Sequence, residues 1–188
     1  MEISSDQALE ALDQVAQAQR RLGVLRGYRY AAPHFFLWGG IWMVGFTLTY
    51  VLPRLANSIW LVFDVGGCVA SLLIVRGHTA RLQRTAAVRT YPLRFLALIA
   101  TCVGFMVATY AVLQPHSIAQ FAVFPGLLLA GIYIGIGIWR GLRWSIAGLA
   151  LGVLALAGYF FLRPYVLLWM AGAGGGVLLL TGAWLRRD

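Results

Sequence analysis

Residues 58–75 read SIWLVFDVGGCVASLLIV. Every side chain in this stretch but one is uncharged, and the exception is Asp64. A segment this long and apolar reads as a transmembrane helix, because about 20 residues at a 1.5 Å rise cross a hydrocarbon core. Five more stretches have the same character: 35–53, 93–113, 118–139, 144–162 and 165–185. Backbone polar groups in lipid must pair internally, so apolar runs of this length imply helices. The expected fold is therefore all-α, an integral membrane bundle of six transmembrane helices. Residues 1–33 are read as an amphipathic cytoplasmic helix and linker, and 34–188 as the six-helix transmembrane domain.

Composition agrees. Of 188 residues, 61% are hydrophobic and 11% charged, with a mean hydropathy of +0.79. Soluble domains lie nearer 45–50% apolar and about 25% charged. The first 33 residues are too few to bury a core of their own. The first apolar run starts only at Phe35, behind acidic and then basic residues, so no secretory signal is read there. Cys68 and Cys102 fall inside the expected spans and make no disulfide framework.

Arginine gives the expected orientation. All fifteen basic residues are Arg. Thirteen would gather on one side of a six-span chain: Arg20, Arg21, Arg26 and Arg29; Arg76, Arg81, Arg84, Arg89 and Arg94; Arg140 and Arg143; Arg186 and Arg187. Only Arg54 and Arg163 fall on the other. By the positive-inside rule both termini are cytoplasmic and the expected location is the cell inner (plasma) membrane. The net charge of +9 follows from this topology and does not argue for nucleic acid. Arg76, Arg81, Arg84 and Arg89 sit in the link 76–92, where they are expected to meet anionic lipid headgroups at the inner leaflet.

Residues 4–27 read as the cytoplasmic helix. Ser4 with Gln7 fits a capping box, and Leu9, Leu12, Val15, Ala16, Leu22 and Leu25 share an apolar face. Gly27 and the 28–33 stretch are expected to end it. Such a helix either lies on the membrane surface or under the bundle, or docks a cytoplasmic partner or a second copy through Leu9, Leu12, Val15 and Leu22.

Asp64 is the candidate for chemistry. A carboxylate at the centre of a span costs about 2.5–3.5 kcal/mol on insertion scales, so it should face helices or water. It lies on a small and polar face with Asn57, Trp60, Gly67, Cys68 and Ser71. Hydroxyls of Thr47, Thr49, Tyr50 or Tyr110, or the guanidinium of Arg54, are expected within its reach. Two roles stay open: a structural acid held by these groups, or an intramembrane proton or cation site.

Glycine motifs recur at Gly131 and Gly135, Gly148 and Gly152, and Gly172 and Gly176, and are expected to pack helices within the chain. Residues 127–133 and 178–184 share a pattern at an offset of 51, which aligns Pro125-Gly126 with Gly176-Val177. An offset of 59 aligns Gly66-Gly67 with Pro125-Gly126. Three helices with breaker pairs at matching depth would suit a transport site.

Leu37-Trp38-Gly39-Gly40-Ile41-Trp42 with Gly45-Phe46, and Tyr165 to Trp169 with the Gly174–Gly176 run and Leu178 to Arg187, resemble a loose group of uncharacterised bacterial six-helix inner-membrane proteins. The likeness covers about a quarter of the chain. It implies a bacterial origin and carries no catalytic residue over.

No HExxH, GxSxG or Walker loop occurs. His34 falls at the inner end of span one, His78 in the inner link and His116 in the outer link, so no metal or haem pair is expected. No cofactor is implied. The expected function is a non-enzymatic multi-pass membrane protein acting by binding, as a regulatory, sensory or assembly partner. The alternative is a small transporter or channel using Asp64. The expected partners are membrane lipids and a cytoplasmic protein or a second copy.

Overall fold

The computed structural model describes residues 5–81 and 86–187. The described chain is helical throughout, with no strand. Helix α1 (Ser5–Val51) leads through a 3-10 turn (Pro53–Leu55) into α2 (Ala56–Arg81). Then come α3 (Ala86–Leu113), α4 (Ile118–Arg140) and α5 (Leu142–Phe161). A second 3-10 turn (Arg163–Tyr165) opens α6 (Val166–Trp169), which passes through a π-turn (Met170–Gly174) into α7 (Gly175–Arg186). Six stretches are long and apolar enough to cross a membrane: Gln17–Val51, Pro53–His78, Leu96–Leu113, Ile118–Arg140, Leu142–Phe161 and Arg163–Arg186. One end of the bundle carries the Pro53 and Arg163 turns; the other carries the α4–α5 link at Gly141.

The turns form where the sequence cannot continue a helix. Leu52 leaves helical geometry immediately ahead of Pro53, and Leu162 does so two residues ahead of Pro164, which has no N–H to continue a helix. Ser117 caps α4 with a reciprocal box: Gln120 N–H donates to the Ser117 hydroxyl, and the Gln120 side-chain oxygen accepts from the Ser117 N–H. Gly141 joins α4 to α5 at φ 122°, a conformation glycine reaches without penalty.

Helix α1 is the central post. Its glycines let α7 approach backbone to backbone. A Cβ on Gly39 would stand 2.8 Å from the Leu179 side chain and 3.0 Å from the Gly175 carbonyl oxygen. One on Gly182 would stand 3.2 Å from the Ala32 carbonyl oxygen. Gly40, the other half of the expected pair, meets open space. At the bundle centre Leu151, Ala155, Met170 and Leu178 are fully or almost fully buried. Residues 166, 170, 174 and 178 all face this core. A straight helix of 3.6 residues per turn would drift about 40° at each such four-residue step. The π-turn absorbs that drift and seats Gly174 under the Trp42 ring.

Three expectations are corrected. The helix read over 4–27 does not end at Gly27–Pro33: α1 runs unbroken through both. Continuation buries Tyr28, Ala32 and Phe35 in the main core, which outweighs the weak helix propensity of glycine and the bond lost at proline. The proposed cap at Ser4 lies outside the described residues. The link expected at 76–92 is helical on both sides, with α2 reaching Arg81 and α3 starting at Ala86. Arg84 and the side chains of Arg81 and Arg89 lie outside the described residues. Finally, Gly66-Gly67 and Pro125-Gly126 interrupt nothing: α2 and α4 are each one helix, and only the sixth span is irregular.

Candidate functional site

Asp64 sits near the Pro53 end of α2, two turns beyond the 3-10 turn. The face it shares is the seam with α1. Trp60 packs edge-on against Phe46, ring centroids 4.7 Å apart, and covers Gly45. Gly67 admits Trp38 and Ile41, and the Trp38 indole N–H donates to the Ser71 hydroxyl at 3.2 Å. The small and polar stripe is thus mostly helix-packing surface. Asp64 is its exception. It is half-buried, and among the described residues its carboxylate makes no hydrogen bond or ion pair.

The groups expected to hold it are engaged elsewhere. The Thr47 hydroxyl donates to the Met43 carbonyl at 2.6 Å, and that of Thr49 to the Gly45 carbonyl at 2.7 Å. Both bonds stay inside α1, the usual recourse of threonine in an apolar helix. Tyr50 and Arg54 are exposed and neither bonds the acid. Tyr110 and Cys68 do lie close enough for the charge on Asp64 to act on them. The Tyr110 hydroxyl, however, donates to the Phe121 carbonyl at 3.0 Å.

That bond ties α3, which otherwise packs against α2, to α4. Pro125 lies inside α4 and has no N–H to give to the carbonyl four residues earlier, which is that of Phe121. Tyr110 supplies the missing donor from α3. Its ring also rests on Phe121 and Phe124, at centroid distances of 5.0 and 5.3 Å. Helix α3 stands off from α5, and no residue of Leu96–Leu113 is buried. The gap between α3, α4 and α5 is a cavity of about 280 Å³ near the Pro53 end, walled chiefly by Leu113, Phe124, Leu127, Leu156 and Phe160. The residues of this wall are spread over three helices, and no sequence motif joins them.

A second grouping lies toward the opposite end. The Tyr30 ring packs edge-on against His78 at 4.8 Å and lies 6.4 Å from His34. His78 is on α2 rather than in a link, and its Nδ1 is 3.1 Å from the Ile74 carbonyl oxygen. A cavity of about 250 Å³ opens beside Pro33, Ile74 and His78. No group of three His, Cys, Asp or Glu side chains comes together among the described residues.

Further along that end, Arg143 is held between aromatic faces. Its guanidinium carbon is 5.3 Å from the Tyr28 ring centre and 5.2 Å from that of Trp184, and Nη1 donates to the Trp184 carbonyl at 3.4 Å. An arginine read only as a topology signal therefore also ties α1, α5 and α7 together.

The remaining candidates lie on α1 and α2. Leu12, Val15 and Leu22 are exposed, while the side chain of Leu9 lies outside the described residues. Arg76 is exposed on α2. Comparison of the chain with protein-family models, with curated proteins and with solved structures gives no match.

Proposed function

We propose that this chain is a non-enzymatic multi-pass protein of the bacterial inner membrane that acts by binding a protein partner at its amino-terminal helix. The observation that carries this reading is the length of α1. Its 47 residues span about 70 Å, more than twice a hydrocarbon core of about 30 Å. The bundle uses the second half. The first half extends past it with Leu12, Val15 and Leu22 at 66, 53 and 51% exposure, within one arc of the helix surface. Apolar side chains repeated on one face are the usual anchors of helix-in-groove recognition. The arginine split of thirteen to two supports placing this end, and both termini, in the cytoplasm. The resemblance noted above supports a bacterial inner membrane.

The test is site-specific photocrosslinking from Val15 of the full chain in cells. A discrete protein adduct is expected, either with a second copy or with another protein. It should disappear when Leu12→Glu and Leu22→Glu are combined. Adducts with lipid alone would overturn the reading. Thiol labelling of single cysteines placed at Gln17 and Asn57 tests the orientation: the first should be reached only from the cytoplasm and the second only from outside.

One observation favours a second reading, a small transporter or channel. Asp64 is a half-buried carboxylate that no described group bonds, the condition of a proton or cation site. Proteoliposomes holding the native chain would then carry a proton or cation flux that Asp64→Asn abolishes. Equal flux in both would remove this reading. The unbroken α2 and α4 speak against it, because discontinuous helices commonly free the carbonyls that coordinate a coupling ion.

A further inference from the structure

The cavity between α3, α4 and α5 has polar side chains along it, yet, the Gln120 amide nitrogen apart, those of Thr109, Tyr110 and Gln120 already make hydrogen bonds within the protein. Thr109 donates to the Phe105 carbonyl at 2.8 Å. Tyr110 donates to Phe121. The Gln120 side-chain oxygen accepts from the N–H groups of His116 and Ser117, at 2.8 and 3.1 Å. What faces the space is mainly hydrocarbon and aromatic ring. A polar solute entering it would lose its water and find few partners. A hydrocarbon chain would lose nothing.

One lining residue carries a cation beside it. Tyr159 lines the cavity, and the Arg163 guanidinium lies over its ring at 4.7 Å while Nε donates to the Tyr159 carbonyl at 3.3 Å. Arg163 is exposed, and this bond uses Nε alone, leaving its two terminal nitrogens for another acceptor. Asp64 is the only Asp or Glu between residues 14 and 187, and among the described residues no ion pair joins it to Arg163. A guanidinium fork matches the geometry of a phosphate, and it favours a headgroup of net negative charge over one whose phosphate is already compensated by its own choline. The volume completes the description. About 280 Å³ is at the small end of ligand pockets, which run roughly 300–1,000 Å³, so it suits part of a chain rather than a whole amphiphile. Since α3 is buried nowhere along its span, the remainder of such a molecule has free passage into surrounding lipid.

We propose that this cavity is a binding site for one acyl chain of an anionic glycerophospholipid whose phosphate is held by Arg163. The site would lie in the leaflet opposite the arginine-rich side, where Arg163 and Arg54 are the only cations. It depends on the chain spanning a membrane and not on the partner proposed for α1.

Native mass spectrometry of the full chain, released from detergent after titration with phosphatidylglycerol or phosphatidylcholine, tests it. One phosphatidylglycerol should be retained in preference to phosphatidylcholine. Arg163→Gln should cut that preference about tenfold, the loss of a charge-assisted bond. Arg54→Gln should leave it unchanged. Leu156→Trp, which fills the cavity from α5, should abolish retention of both lipids while Arg163 stays in place; Leu127→Trp repeats the test from α4 if the first variant does not fold. Equal retention of both lipids by the native chain and all variants would overturn the site. So would a two-copy species that Leu156→Trp dissolves, because a second copy would then be the occupant. Carbonate extraction of native membranes tests the membrane reading separately, and the Val15 crosslink tests the partner.

Discussion

The hydroxyl of Tyr110 donates, at 3.0 Å, to the one carbonyl of α4 that Pro125 deprives of its helical donor, that of Phe121. The two features are coupled, so their energetics should not add. Tyr110→Phe keeps the ring contacts and removes the bond, at an expected cost of about 0.5–1.5 kcal/mol, the range for interhelical bonds in membranes. In a Pro125→Ala background the residue at 125 supplies the N–H itself, and the same tyrosine change should cost less than half as much. A double-mutant cycle read by denaturant unfolding in micelles checks this. Equal costs in both backgrounds would show the bond to be incidental.

The glycine pairs separate by what they face. A Cβ on Gly148 would stand 2.7 Å from the Ala130 carbonyl oxygen and 2.9 Å from the Ile134 nitrogen, both backbone atoms that cannot give way. Gly148→Ala is expected to destabilise by about 1–3 kcal/mol through overpacking. Gly131 and Gly135 meet open space. Alanine at either should be neutral or slightly stabilising, up to about 1 kcal/mol from helix propensity. Thermal unfolding of the three variants in one detergent distinguishes them.

Asp64 offers a test of structural against functional roles. An acid held by neighbouring donors would lose stability on becoming Asn or Leu. Asp64 has no such donors among the described residues, so Asp64→Leu is expected to raise stability by about 1–3 kcal/mol, the order of the insertion cost it removes. A fall in unfolding temperature would show that the carboxylate is bonded in the folded membrane form.

Arg143 is held as a plane, not merely as a charge. Arg143→Lys keeps the charge but loses the stacking on Tyr28 and Trp184 and the fixed fork that reaches the Trp184 carbonyl. The expected loss is about 1 kcal/mol, with Arg143→Gln at least as large. Unfolding measured alongside Arg140→Lys, an exposed neighbour at the same helix link, isolates the effect.

How much of this could be read from residues alone depends on the length scale. Spans such as 118–139, against Ile118–Arg140 in the structure, follow from apolar length, which nothing in the bilayer can override. The Ser117–Gln120 cap is legible in the sequence as S-x-x-Q. Helix rotation was not legible. Gly131-x-x-x-Gly135 and Gly148-x-x-x-Gly152 are identical as motifs, and only the orientation of each helix decides which one meets a neighbour. The Tyr110–Phe121 bond depends on a turn in which Gln114 takes a positive φ of 43°, a conformation non-glycine residues seldom adopt. Continuity of α1 through Gly27 and Pro33 was hidden because local propensity argued for a break, whereas burial of Tyr28, Ala32 and Phe35 decided otherwise.

That continuity makes α1 a shaft. Leu12 and Trp42 are thirty positions apart on one unbroken helix, about 45 Å at 1.5 Å per residue. Between them the helix lacks one backbone hydrogen bond, at Pro33, and its far end carries the ring that bears on Gly174 of the π-turn. The projecting end and the least regular turn of the bundle are thus two stations on one helix.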